Sequence, residues 1–308
     1  MFYIKRILRM IYSQFDALLS LRCLPFTKEL RQKVSGIEYG PSPSSQAEEE
    51  WLENRKTIKR QILNSNPSRF LRWPVIQKTM FVGENPFISN ELNWLKSLRN
   101  WENKWKNAIR ENSPGQPVRL SYYPGSSANL VHHAYTLAFF EEVSGLAIQD
   151  LTDVFEFGGG YGSMARLFYS LGYRGKYTIF DLPEFSSLQS FYLRSLGLEV
   201  YAPTSKNGNI RLISDFDEFT NLAGEKTRNS LFLATWSLSE TSSDFREKIV
   251  NAVFPRENYL IALQDQFNEV NNLNYFNALS KRFSENTKWT LRAIDHLPGN
   301  SYLFGGKK

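Results

Sequence analysis

Asp153-Val154-Phe155-Glu156-Phe157-Gly158-Gly159-Gly160-Tyr161-Gly162 reads as a short buried strand running into a glycine turn, and Tyr177-Thr178-Ile179-Phe180-Asp181 follows as a second apolar run that ends in an acid. A strand, a glycine turn, a helix and a second strand closed by a carboxylate form the nucleoside-binding half of an α/β sheet. The pattern therefore places a nucleotide-like cofactor beyond the carboxyl ends of these strands. The plainer alternative, a tight strand-to-helix turn with no ligand, leaves the acids on both sides of the glycines unexplained.

The spacing narrows the cofactor. Dinucleotide folds use G-x-G-x-x-G, in which the third glycine lets a helix start close under a pyrophosphate. Here the glycines fall at Gly158, Gly160 and Gly162, and Glu156 stands two residues before the first. An acid at that point repels a pyrophosphate and attracts an ammonium group. S-adenosylmethionine fits: adenosine over the glycines, its amino-acid end near Glu156, and ribose hydroxyls on Asp181, since a carboxylate accepts two hydroxyl hydrogen bonds. Tyr161 and Trp236 can turn an aromatic face to a sulfonium, or serve only as packing.

The series EFGGGYG at 156–162, IFDLPE at 179–184, LISDFDEF at 212–219 and LFLATWSLSE at 231–240 resembles the motifs of class I S-adenosylmethionine-dependent methyltransferases, most closely the sugar O-methyltransferases of bacterial polysaccharide loci. The resemblance covers residues 120–308 well and the first part loosely. It implies a Rossmann-like, mostly parallel α/β sheet with an antiparallel last strand at its edge. By motif position it puts Leu182 beside Asp181, Asp215 and Phe216 near the adenine, and Trp236 to Glu240 at the reaction centre. The His-Asp pair that small-molecule O-methyltransferases carry after the fourth strand is replaced here by Ser239-Glu240, so the resemblance does not name the base.

Outward from the glycine loop, strands are expected at 153–157, 177–181, 197–201, 209–214, 230–235, 258–264, 289–295 and 301–305, with helices between most of them. The run at 197–201 has a second reading as a loop, which makes 209–214 the third strand. Upstream, residues 1–120 read as a helical extension and 121–308 as the cofactor-binding domain. Ile4, Ile7, Leu8, Ile11, Phe15, Leu18 and Leu19 share one side of a helix over 2–22. That helix docks on the protein or a second copy, or else lies on a membrane surface. Residues 35–50, rich in Gly, Pro and Ser, read as a linker before a helix from Trp51. A helix over 89–112 carries a stripe of Trp94, Leu95, Leu98, Trp101 and Trp105 read as core, and another spans 127–144.

Composition excludes several classes. No run of eighteen apolar residues occurs, so nothing is expected to span a bilayer. One cysteine, Cys23, leaves no internal disulfide and suits a reducing compartment. With no A-x-A-like cleavage site after residue 22, the cytoplasm is expected, at the inner membrane face if 2–22 binds lipid. Residues 1–120 hold 20 Lys and Arg against 11 Asp and Glu, and the rest 17 against 20, so the basic surplus is N-terminal. Those charges are scattered among acids without a binding motif, which argues against nucleic acid. An anionic membrane or a phosphorylated, lipid-linked substrate fits better.

Transfer of a methyl group to a hydroxyl needs alignment and a base. Candidate bases are His296, which follows the penultimate strand, His133 on the helix before the glycine strand, Asp265 after the fifth major strand, and Glu240 after the fourth. His132 precedes His133, but adjacent helical residues point about 100° apart, so one of the two is expected to reach the site. Asp265, Glu240 and His296 have the right donor types for a divalent ion, yet lie too far apart in sequence to predict a metal. Tyr122 and Tyr123 suit a lid or sugar platform. The expected activity is O-methylation of a sugar hydroxyl on a glycan or its precursor. A phenolic or other small acceptor is the alternative within the fold, and a non-catalytic binding or assembly module the alternative outside enzymology.

Overall fold

The computed structural model describes residues 23, 25–40, 46–201, 208–225, 227–253 and 256–308. The amphipathic segment 2–22 lies outside the described residues. Helices α1 (25–35), α2 (Gln46–Asn64), α3 (Pro74–Thr79) and α4 (Pro86–Ser97) are followed by a π-helical turn at Trp101–Trp105 that runs into a single turn, α5 (Lys106–Ala108), and then by α6 (Ala128–Ser144). The rest alternates: β1 (Asp153–Phe157), α7 (Ser163–Ser170), β2 (Lys176–Phe180), α8 (Pro183–Ser195), β3 (Ile210–Ile213), α9 (Phe216–Ala223), β4 (Ser230–Thr235), α10 (Ser243–Val253) and β5 (Asn258–Gln264). A small hairpin, β6 (Gln266–Phe267) and β7 (Val270–Asn271), precedes α11 (Asn272–Arg282), β8 (Thr287–Ala293) and β9 (Asn300–Lys307).

The seven-stranded sheet has the order β3-β2-β1-β4-β5-β9-β8. The first five strands are mutually parallel, and β9 runs antiparallel between β5 and β8. This is a Rossmann-like, mostly parallel sheet with an antiparallel last strand, as the motif resemblance implied. One detail corrects the expectation: β9 is not at the edge, because β8 is. The burial patterns explain the order. Ser301 to Gly305 on β9 are all buried, whereas β8 carries Lys288, Arg292 and other half-exposed residues, and a charged strand is the one that tolerates an open edge.

Alternate residues of each strand divide between two cores. Val154, Ile179, Leu233, Leu260 and Phe304 face the side covered by α6, α7, α8 and the N-terminal helices. Phe155, Phe180, Phe232, Ile261 and Leu303 face the side covered by α9, α10 and α11. Both cores are largely side chains exposed below a tenth. The N-terminal helices share the first core with the sheet, and α4 packs along α6.

Other boundaries also moved. The linker expected over 35–50 is shorter, because α2 begins at Gln46: Glu48 and Glu49 lie in its first turn, where acids oppose the helix dipole. Residues 41–45 lie outside the described set. The helix expected over 89–112 breaks at Leu98, whose ψ of 136° is extended. The break does not undo the stripe, since Leu95, Trp101 and Trp105 are buried in the first core. Residues 197–201 form no strand, only a bridge from Val200 to Ile210, so β3 is the third strand.

Candidate functional site

The turn after β1 is built from backbone that only glycine adopts freely. Gly158, Gly160 and Gly162 have φ of 73°, 56° and 90°, a region that costs other residues about 1–2 kcal/mol each. Gly159 is fixed by space instead: a Cβ there meets Ile179 Cγ2 at 2.5 Å and Glu156 Oε2 at 2.9 Å. Gly158 donates its N–H to Phe180 O at 2.9 Å, tying the turn to β2, and Gly162 caps the start of α7. The atoms nearest to a Cβ built on Gly160 are those of Met80, from 3.6 Å, and the loop there lines open space.

That space is a cavity of about 1010 Å³ at the carboxyl ends of β1, β2 and β4. Glu156 lies beneath the loop, 1% exposed, with the Tyr177 hydroxyl donating to Oε2 at 3.0 Å. Burial pushes its carboxyl up to about 8; the Tyr177 bond opposes this and the Asp181 charge adds to it. Asp181 accepts from the Gly160 N–H (3.0 Å) and Gln189 Nε2 (2.8 Å) on Oδ2, and from the Leu182 N–H (2.8 Å) on Oδ1. Burial outweighs those donors and raises it to about 7. Leu182 lines the cavity beside it, as do Phe180, Ser214 and Phe245. Asp215 and Phe216 do not line it: Asp215 accepts the Glu218 N–H as the cap of α9, and Phe216 packs on Phe180, Phe219 and Phe245. Tyr161 touches the cavity, but its ring packs on Phe70 and Tyr192 and its hydroxyl accepts from Asn129 Nδ2 at 2.8 Å. It is a packing residue, 3% exposed.

Trp236 closes β4 with φ of 63°, unusual for a bulky residue. Its N–H donates to Ala262 O and its Nε1 to Asn300 Oδ1, both at 2.7 Å, which holds the strained backbone. Its ring lies over His132, with 4.8 Å between centroids and 30° between planes. Both His132 and His133 line the cavity, so the expectation that one would reach it is corrected: the wall wraps around the helix face. His133 Nδ1 lies 3.2 Å from Ser163 Oγ, and burial together with the His132 charge pushes it down to about 3. Glu240 also lines the cavity, and burial raises it to about 7.

His296 and Asp265 are elsewhere. His296 Nε2 lies 2.9 Å from Glu91 Oε1. Asp265 uses its backbone to bond Gly299, Asn272 and Leu273, around the start of α11. Among the described residues no three His, Cys, Asp or Glu side chains converge as a metal site, and no helix is long and apolar enough to cross a membrane.

The sequence reading missed Glu91, which is 0% exposed on α4 and joins His132 (2.8 Å) to His296. Its signal was available: with Ile88, Leu92 and Leu95 it occupies the apolar stripe of α4, where an unpaired acid is costly. Missed too were Trp51, Arg55 and Met80–Val82, which bring N-terminal elements over the loop. Beside the main cavity lies a smaller chamber of about 330 Å³ that shares His132 and Trp236 with it and adds Gln264, Gln266 and Asn300.

No family model matches the sequence, and no curated protein matches it. Among solved structures, an rRNA methylase from Streptococcus thermophilus is similar over 56% of this chain and 93% of its own, with 14% identity and a TM-score of 0.41. The methyltransferase domain of bacterial CtHen1-C is similar over 57% and 96%, with 8% identity and a TM-score of 0.40. Precorrin-6y C5,15-methyltransferase from Geobacter metallireducens GS-15 is similar over 62% and 94%, with 12% identity and a TM-score of 0.38. Likeness at this level goes no further than the sheet already described, and no activity is taken from it.

Proposed function

We propose that the protein is an S-adenosylmethionine-dependent O-methyltransferase acting on a sugar hydroxyl. The observation that carries the reading is a single cavity in which an acid beneath the glycine turn and an acid beside it, Glu156 and Asp181, frame a loop open at Gly160. Two carboxyl groups suit an ammonium and a pair of ribose hydroxyls and oppose a pyrophosphate. The residues present therefore fit this cofactor: Gly158 and Gly160 under the adenosine, Asp181 at the ribose, Glu156 at the amino-acid end, and Phe180, Leu182 and Phe245 at the base. Bound there, the cofactor supplies a methyl group on a cationic sulfur. The chain itself must align the acceptor, exclude water and take up the hydroxyl proton.

The side chamber supports the sugar part of the reading. Gln264, Gln266 and Asn300 offer uncharged donors and acceptors around the Trp236 face, a combination that suits a ring with several hydroxyls and an apolar face. A phenolic acceptor is the second reading, favoured by Phe81, Val82, Phe267 and Val270, which also line the main cavity. Calorimetry with S-adenosylmethionine, S-adenosylhomocysteine and NAD, followed by labelled-methyl transfer to panels of sugars and phenols, tests both. Binding of the first two and labelling of a sugar is the expected result. Absence of S-adenosylmethionine binding, or tighter NAD binding, refutes the cofactor. Binding without labelling of any acceptor points to a non-catalytic module.

A further inference from the structure

We infer that His132 is the general base of the proposed reaction and that Glu91, held from its other side by His296, is the residue that positions it and compensates its charge. The inference rests on the methyl-transfer reading above and assigns the proton acceptor that reading leaves open.

The geometry starts at Glu91, which is fully buried between α4 and α6. One oxygen, Oε1, lies 2.8 Å from His132 Nδ1 and 2.9 Å from His296 Nε2, while Oε2 has no hydrogen-bond partner among the described residues. Burial pushes this carboxyl up, but the charge that His132 and His296 carry when protonated, together with their hydrogen bonds, outweighs it and leaves Glu91 below its ordinary value. An ionised carboxylate only accepts, so His132 Nδ1 carries a proton and the lone pair of the neutral ring falls on Nε2. Nε2 has no protein partner among the described residues, and the ring forms the wall shared by the main cavity and the side chamber. The other candidates lack this arrangement. His133 meets a serine hydroxyl instead of a carboxylate, and Glu240 accepts from the Gln264 amide at 3.4 Å, with no cation shown beside it among the described residues.

The step balances. The acceptor O–H bond breaks, its proton goes to His132 Nε2, and the electron pair stays on oxygen, which takes the methyl group while the C–S electron pair remains on sulfur. The new imidazolium faces Glu91 Oε1 across 2.8 Å, where the buried carboxylate compensates its charge. The other titratable groups around the pair are His133 and Tyr135 on α6, Asp295 and His296 between β8 and β9, and Tyr302 on β9.

The chain has three histidines, so nitrogen-15 NMR of the full-length protein assigns each ring with one substitution apiece. The expected result is a neutral His132 protonated on Nδ1. Glu91→Gln should let the Nε2–H tautomer of His132 appear and lower kcat by about tenfold or more, with the cofactor Kd little changed. His132→Gln should lower kcat by about 10²–10⁴-fold while leaving cofactor affinity within about threefold. His296→Gln, which still offers a donor to Glu91, should keep the Nδ1–H tautomer. A His132 protonated on Nε2, a Glu91→Gln protein whose His132 tautomer and kcat match wild type, or a His132→Gln protein that methylates at the wild-type rate overturns the assignment. If Glu91→Gln does not fold, the wild-type tautomer decides. Failure of the methyl-transfer reading shows separately, as wild-type protein that binds no cofactor.

Discussion

Replacing Glu156 by Gln should stabilise the free protein and weaken cofactor binding, opposite effects from one isosteric change. In the folded chain burial holds this carboxyl at about 8, against 4.5 for the ordinary group. Between those two pH values the unfolded chain has lost the proton while the folded chain keeps it, so stability falls as pH rises. At about 1.4 kcal/mol per pH unit the window is worth at most roughly 5 kcal/mol, and relaxation around the ionised group brings the expected loss to about 2–3 kcal/mol. Glutamine does not titrate and can accept the Tyr177 hydroxyl as Glu156 does. Glu156→Gln should therefore match wild type near pH 4.5 and exceed it by about 2–3 kcal/mol near pH 8.5. The cofactor behaves the other way. A cation beside Glu156 must first draw off the proton, so wild-type affinity should rise up to about tenfold per pH unit toward pH 8, with proton release visible as a buffer dependence of the calorimetric enthalpy. Loss of the charged hydrogen bond in Glu156→Gln should cost about 1.5–3 kcal/mol, or roughly 10–150-fold in Kd, and flatten that slope. Urea unfolding at pH 5, 7 and 8.5, paired with calorimetry at the same values, measures both. A wild-type stability that is flat across the window, or a variant less stable than wild type at pH 8.5, refutes the reasoning.

Three further outcomes are expected. Gly158→Ala combines a left-handed φ of 73° with a Cβ 2.4 Å from Ser237 Cβ, so it should lose about 2–4 kcal/mol of stability by denaturant titration and bind cofactor at least about tenfold more weakly. Asp181→Asn puts an amide where the Gly160 N–H and Gln189 both donate; calorimetry should show about 10–100-fold weaker cofactor binding, and the part of its pH dependence centred near 7 should disappear. Arg256→Met leaves the buried Asp153 at the start of β1 without its ion-pair partner. It should destabilise by about 3–5 kcal/mol in urea, with the cofactor Kd of the folded fraction unchanged, because that pair lies at the opposite end of the strand from the glycine turn.

What was legible in the sequence was local. The glycine turn, the acid closing β2 and the strand alternation are read from neighbours along the chain, and the structure has three left-handed glycines, a carboxylate on the Gly160 N–H and two cores split by strand parity to match. The place of β9 was not legible, because strand order depends on which strand can bear an open edge, a comparison between residues some ten positions apart. The break at Leu98 was hidden for another reason: Leu95, Trp101 and Trp105 stay on one core whether or not the helix is continuous, so the apolar stripe survives the kink. That both His132 and His133 reach the cavity was not legible, because a helical-wheel argument treats the cavity as a line, whereas its wall curves around α6. Glu91 was passed over as one more charge in a helix, although its place between Ile88, Leu92 and Leu95 marked it. A buried acid of that kind means little until its partner is known, and the partners lie 41 and 205 residues away.

In the proposed reaction, the helical N-terminal portion that shares the first core with the sheet also brings Glu91 to His132. Methyl transfer from a sulfonium to a hydroxyl removes a positive charge at one point and releases a proton at another, so the protein must handle charge at both ends of one cavity. At the cofactor end, the strands supply Glu156 and Asp181, which burial keeps protonated until a cation draws the protons off. At the acceptor end the sheet offers only Glu240 and the turn holding His296; the permanently compensating anion comes from α4. A chain containing α6 and β1 to β9 without α4 would keep the glycine turn and the two acids proposed for the cofactor, yet His132 would lack the carboxylate on its Nδ1. On that reasoning, the two acids proposed for the cofactor come from the sheet, in a cavity that Trp51, Arg55 and Met80–Val82 also line, and the proposed proton removal depends on contact with the N-terminal helices.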